Sequence, residues 1–299
     1  MKIYRSKMRN IKKYFDNPPA ILLSDGCHKK IQEALIQKNH HHFSSYYYGN
    51  KDKVRQVLEA LYDYKCAYCE TNTTAGATLQ VDHYRPKNKI QEESNHTGYY
   101  WLGYEWSNLM LICSQCNGKS AKSNKFPIAP TGIRVTTPPL DNQGELNKAL
   151  CRADSQLLLD EKALLLNPEI DKPEEHLVFL PNGQIKGITE RGKKTIDICN
   201  LNRKSLVFKR KKVLHQLQEE LEEYLDDFLT HQISEEIFHY SLKKFFQRLE
   251  KSTRSYDNSY LRLRWFMFYK FERFFISALG IKQQEIVKMA FALFKQGKL

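Results

Sequence analysis

The chain has 299 residues, of which 41% are hydrophobic and 27% charged, and its mean hydropathy is −0.61. This is a globular composition, neither disordered nor membrane-embedded, and the length allows one large core or two domains. Lys and Arg number 47 against 34 Asp and Glu, a net charge of +13 that favours an acidic partner such as nucleic acid.

The first fifteen residues, MKIYRSKMRNIKKYF, are basic and hold no apolar run. They read as neither signal peptide nor membrane anchor, so a cytoplasmic protein with no membrane partner is expected. Residues 1–50 are taken as a basic, helical extension. After the breaker Asn17-Pro18-Pro19, a helix is predicted with Ile31, Leu35 and Ile36 on one face. His40, His41 and His42 follow. Adjacent histidines cannot all reach one ion from regular structure, so a polar loop is predicted there.

Val54, Val57, Leu58 and Leu61 recur at helical spacing, and that helix runs into Cys66. Residues 51–203 are read as the domain that carries the chemistry. Four of the seven cysteines form two CxxC pairs, Cys66/Cys69 and Cys113/Cys116. Two such knuckles close a tetrahedral four-thiolate shell suited to zinc; an iron–sulfur cluster or a redox pair is the alternative. A closed zinc shell has no open position, so this metal is expected to be structural. The remaining cysteines, Cys27, Cys151 and Cys199, are read as free thiols.

Between the knuckles the β-like run 78–81 leads into Asp82-His83; Asn108 precedes the second knuckle and Asn117 follows Cys116 directly. Strand neighbours point to opposite faces, so the strand is predicted to stop or bulge at Asp82 and His83, ahead of Pro86. Residues 129–160, with Thr-Thr-Pro-Pro and Asp141-Asn142-Gln143-Gly144, read as hairpins or loops. From residue 204 to 299 the pattern turns helical. Leu214, Leu217, Leu221, Leu225 and Phe228 form one stripe; Phe238, Leu242, Phe245, Phe246 and Leu249 form another. The aromatics of 260–279 are read as core or partner interface, not as base-stacking platforms.

The order CxxC, Asp-His, Asn, CxxC-Asn across residues 66–126 resembles the zinc-knuckle subclass of the HNH endonuclease family. The resemblance implies an α+β, mainly helical chain: a ββα-metal core with a four-cysteine zinc knuckle and a C-terminal helical region. It implies that His83 is the general base, that Asp82 and Asn117 bind a catalytic Mg²⁺ or Mn²⁺, and that Asn108 braces the loop carrying His83. Histidine suits the base role because its ordinary pKa lies near neutrality. Arg85, Lys87, Lys89, Lys119, Lys122 and Lys125 crowd this region; Arg85, Lys87 and Lys119 are taken as phosphate contacts.

A narrower resemblance, carried by GYYWLGYEWSNLMLICSQCN and by residues 165–210, is to the PtuB-type nuclease subunits of Septu and retron-linked antiphage systems. It implies an ABC/SMC-like ATPase partner of the PtuA kind. His176, inside this stretch, is given no role. The expected function is metal-dependent hydrolysis of nucleic acid, with DNA favoured. An RNA (tRNA) nuclease, or a catalytically inactive zinc-knuckle module for nucleic-acid binding or assembly, is the alternative. A thiol oxidoreductase is disfavoured because both CxxC pairs are committed to metal.

Overall fold

The computed structural model describes residues 11, 13–49 and 54–299. Residues 1–10 and 12 of the basic start therefore lie outside the described residues, whereas Lys13 is described and pairs with Glu169 at 3.2 Å. The described chain forms two compact units. One holds the residues up to 177 together with 187–201; the other holds 178–186 and 202–299. Residues 13–49 thus share a unit with the cysteine-bearing region.

In the first unit, helix α1 (Asp25–Gln37) starts at Ser24, whose hydroxyl accepts a hydrogen bond from the Cys27 amide. Its buried face carries Cys27 and Ala34. Ile36, predicted on the inner face, is 80% exposed. It stands about two and a half turns beyond Cys27 and so faces the opposite way. In the polar loop that follows, His41 is buried, with its ring 6.2 Å from that of Tyr104.

Helix α2 (Val54–Leu61) buries Val54 and Leu58. Strand β1 (Gln80–His83) pairs antiparallel with β2 (Leu109–Ile112), in a register that sets Asp82 opposite Met110 and His83 opposite Leu109. All four β2 residues are buried, as in a strand covered on both faces. The short helix α3 (Ser114–Asn117) follows at once. The order β1, β2, α3 gives the ββα arrangement.

Short helices α4 (Lys148–Cys151) and α5 (Gln156–Leu159) come next. Before them Leu140 and Leu146 bridge a hairpin, with Gly144 at φ +80°, a conformation that favours glycine. Beyond β3 (Leu177–Phe179) and β4 (Ile185–Gly187), a second two-stranded sheet, helix α6 (Glu190–Ile198) is capped by Thr189. His176 Nδ1 lies 2.8 Å from that Thr189 hydroxyl, and its carbonyl accepts from the Ile188 amide. The ring is thereby used in holding the start of α6.

The second unit contains α7 (Lys204–Leu229), α8 (Glu235–Ser252), α9 (Leu261–Tyr269), α10 (Phe271–Phe274) and α11 (Ile281–Lys295). The predicted stripes meet here. Leu214, Leu221 and Leu225 of α7 and Phe238, Leu242, Phe245, Phe246 and Leu249 of α8 are buried, whereas Leu217 and Phe228 stay half-buried at the edge. Phe266, Phe268, Phe271, Phe274 and Phe275 are buried too, and Phe271 stacks on Phe291 at 4.2 Å. These rings are core. Among the described residues no helix is long and apolar enough to cross a membrane.

Candidate active site and metal centre

The four knuckle cysteines are buried, and their sulfurs all lie within 4.8 Å of one another. Cys69 and Cys113 Sγ are 3.7 Å apart. Zinc–sulfur bonds of about 2.3 Å in a tetrahedron place the sulfurs about 3.8 Å apart, so the donor set fits a zinc ion. Local backbone geometry builds each knuckle. Glu70, in the left-handed region at φ 58°, donates its amide to Cys66 O; Cys116 donates its amide to Cys113 O at the start of α3. The Ala67 amide donates to Leu111 O at 2.8 Å, which fastens the first knuckle to β2.

β1 ends at His83 without a bulge, in regular register with β2. The backbone then continues through Tyr84 N to Asn108 O at 2.8 Å. The Asn108 side chain replaces the next rung of the ladder: its Oδ1 accepts from Arg85 N, and its Nδ2 donates to Arg85 O and Leu102 O. Asn108 is buried, and these bonds fix the segment leaving His83.

His83 is buried, edge-on to the Tyr48 ring at 5.1 Å. Its Nε2 lies 2.9 Å from Gly103 O. A carbonyl can only accept, so Nε2 carries the hydrogen and Nδ1 keeps its lone pair. Burial, followed by the positive charge of Lys87, pushes the His83 pKa well below its ordinary value; the Gly103 carbonyl opposes this and Lys122 adds to it. The imidazole is therefore neutral at pH 7. Gly103 can sit this close to its neighbours only as glycine, because a Cβ there would meet Phe43 at 2.1 Å.

Asp82 faces a different set of groups. Lys122, with no exposed side-chain surface, places Nζ 2.7 Å from Asp82 Oδ2 and donates to His83 O at 2.7 Å. The Oδ2 contact is an ion pair without a directed hydrogen bond, which leaves a buried carboxylate oxygen with coordinating capacity. Asn117 Nδ2 donates to Gln80 Oε1 at 3.3 Å. Gln80 and Asp82 are two apart on β1 and share a face, so Asn117 stands on the Asp82 side with its amide oxygen as an acceptor. A carboxylate and a neutral amide oxygen suit a hard divalent cation such as Mg²⁺. Lys87 bridges the two sides electrostatically: its charge acts on His83, while burial lowers its own pKa and the Asp82 carboxylate opposes that shift. Its ammonium lies over Phe43 and Tyr48 at 5.4 and 5.7 Å.

Arg85 corrects an expectation. It is 3% exposed, with Nε 2.7 Å from Glu161 Oε2 and Nη2 donating to Leu158 O. With its guanidinium used internally, Arg85 is not placed to grip a phosphate. Arg85→Gln is expected to lower stability by about 3–5 kcal/mol, because a buried Glu161 loses its cation; urea unfolding at pH 7 measures this, and a change below about 1 kcal/mol, on the scale of surface pairs, would contradict it. Lys119 is exposed, as a phosphate contact requires. Sequence reasoning missed two groups. Lys122 was one of several similar lysines, and nothing local marks it as the buried one. Gly103 contributes a backbone carbonyl, which leaves no side-chain signature.

Residues 66–123 match the family model described as HNH endonuclease. Septu protein PtuB of Bacillus mycoides (strain KBAB4) is 32% identical over 185 residues, covering 60% of this chain and 57% of that protein. Septu protein PtuB of Bacillus thuringiensis is 24% identical over 187 residues, covering 62% and 52%. Septu protein PtuA of Bacillus mycoides (strain KBAB4) is 31% identical over 170 residues, covering 56% of this chain and 21% of that protein. The chain thus spans about half the length of the PtuB relatives it matches. No solved structure gives a significant match.

Proposed function

We propose, from the premise that residues 66–123 are an HNH endonuclease segment, that this protein is a metal-dependent endonuclease that hydrolyses nucleic-acid phosphodiester bonds, with DNA the favoured substrate. The observation that carries this reading is His83: buried, neutral, and with Nε2 committed to Gly103 O, so that Nδ1 is the free base. In this scheme His83 Nδ1 takes the proton of the attacking water. Asn108 keeps the ring in place by fixing the backbone that follows it. Asp82 and Asn117 hold Mg²⁺ or Mn²⁺, which supplies positive charge for the leaving oxygen. Cys66, Cys69, Cys113 and Cys116 hold a structural zinc that anchors β2 and α3. Lys87 and Lys119 contact flanking phosphates.

We further assign the protein to antiphage defence, working with an ATPase subunit of the PtuA type. The Septu relatives support this. So does the PtuA match, in which the matched segment makes up about a fifth of that longer chain.

Nicking of supercoiled plasmid by zinc-loaded protein with Mg²⁺ or Mn²⁺, alone and with the co-purified partner, tests the reading; total tRNA is the parallel substrate. Cleavage of tRNA but not plasmid would shift the substrate class to RNA. Absence of cleavage on both, with the partner and ATP present, would favour the inactive binding module. Lys119→Ala is expected to weaken binding across sequences and to reduce the salt slope by about one unit. A competition titration at several salt concentrations reads this out.

A further inference from the structure

Around the proposed catalytic ion the charges are arranged unusually. Asp82 is the only carboxylate assigned to it, and its second protein ligand, Asn117, is neutral. Among the described residues, the knuckle thiols form the one cluster of three or more His, Cys, Asp or Glu side chains that could hold a metal, so no second carboxylate or histidine joins Asp82 in such a cluster. Against the single Asp82 charge stand two ammonium groups. Lys122 touches Oδ2 at 2.7 Å, and Lys87 is close enough for its charge to be felt by both Asp82 and His83.

Lys122 is no mobile surface lysine. Its side chain has zero exposure, its Nζ also donates to His83 O, and its amide donates to Cys116 O at 3.1 Å. It is therefore fixed at both ends, by the zinc knuckle and by β1. Withdrawing its ammonium would leave His83 O without this donor and Asp82 Oδ2 buried without a counter-ion.

We propose that Lys122 and Lys87 keep the free site short of negative charge, so that the divalent cation binds together with a nucleic-acid phosphate rather than to the protein alone. This deepens the nuclease reading and rests on it. Without substrate the site carries one negative and two positive groups, and a dication would raise that to a net charge of three. Beside the buried Lys122 and Asp82 such repulsion is only partly screened by solvent. A phosphodiester adds the missing anion and oxygen ligands, in keeping with the habit of Mg²⁺ of taking one or two carboxylates plus substrate phosphates. Lys122 is then a positioning residue. It holds Asp82 and the His83 carbonyl in working geometry while no metal is present, and it sets the metal affinity. Metal and nucleic acid are thereby coupled, and each must strengthen the other's binding by the same factor.

The test is Mn²⁺ binding, followed by calorimetry and by electron paramagnetic resonance on zinc-loaded protein. His83→Ala serves as the uncleaving background. Titrations are run without nucleic acid, with a duplex DNA oligonucleotide, and with total tRNA. The expected result is weak Mn²⁺ binding to the free protein, tightened about tenfold or more by one of the nucleic acids. Lys122→Met should tighten Mn²⁺ binding to the free protein by a similar factor while lowering turnover, a combination that mere loss of structure does not produce. Lys87→Met, at a half-buried position, should act in the same direction on Mn²⁺ and covers the case in which Lys122→Met does not fold. Equal Mn²⁺ affinity with and without nucleic acid would overturn the proposal and leave the nuclease reading standing. So would unchanged or weakened affinity in a folded, zinc-loaded lysine variant. If no Mn²⁺ binds beside either nucleic acid and wild type cleaves neither, both fail.

Discussion

Replacement of His83 by Ala should reduce cleavage by about 10²–10⁴-fold, the usual contribution of a positioned general base. Zinc content should not change, because the ring bonds to Gly103 O and the knuckle is built by hydrogen bonds among other groups. The loss should appear in kcat, since in the proposed scheme the imidazole acts on the water rather than on the bound phosphate. His83→Gln is the informative companion. It can still donate to Gly103 O but offers no base, so it should be as inactive as Ala while melting closer to wild type. Substantial cleavage by a purified His83→Gln protein would remove His83 from the base role.

The same burial sets a pH dependence. The folded His83 pKa lies well below 6.5 because burial disfavours the charged ring. Well above pH 6.5 the ring is neutral in both folded and unfolded chains, and its contribution to stability is fully present. As pH falls below 6.5 toward the folded pKa, the unfolded chain takes up a proton that the folded chain resists, so stability declines. The acidic limb of the cleavage profile should correspondingly lie below the ordinary histidine pKa. Both should vanish in His83→Gln: the acid limb with the activity, and this part of the stability slope with the titrating group.

Removing zinc should have the largest structural effect. Structural zinc sites contribute about 10–16 kcal/mol in apparent binding energy at pH 7, which matches or exceeds the roughly 5–15 kcal/mol that holds a whole domain folded. Here the ion would join Cys66 and Cys69 to Cys113 and Cys116. Through the Ala67 N to Leu111 O bond it would also secure β2, the partner of the strand bearing Asp82 and His83. Chelation, or Cys116→Ser, is expected to abolish the cooperative unfolding transition of the first unit and to eliminate cleavage, with no rescue by Mg²⁺. The second unit builds its core from Phe238, Phe245, Phe246, Phe271 and Phe275 and uses no knuckle residue, so much of the helical circular dichroism should persist. Zinc-free protein that melts like the zinc-loaded form would show that the four thiols are not a structural metal site.

How much of this was legible before folding depends on the range of the interaction. The two CxxC pairs specify their knuckles locally, because two residues between cysteines set the turn that aims both sulfurs at one point. The leucine and phenylalanine stripes of α7 and α8 announce buried faces by period alone. The end of β1 at Asp82 and His83 follows from alternation and the nearby Pro86. Asn108 and Asn117 were visible as candidates through their place in the motif.

The fates of the basic residues were not legible. Arg85 and Lys122 are both cations near the Asp-His pair, and sequence offers no reason to separate them from Lys87 or Lys119. Their roles depend on which acid each meets: Glu161, 76 residues from Arg85, and Asp82, on the far side of the second knuckle from Lys122. A buried cation is tolerable only beside such a partner, since its desolvation cost must be offset by charge and hydrogen bonds. The sequence by itself determined the four-cysteine cluster, the Asp-His pair and the helical stripes, all set by short-range spacing. Only the tertiary structure decided that Arg85 is interior, that Lys122 is buried against Asp82 and that Gly103 O selects the His83 tautomer, because each depends on a contact between distant segments.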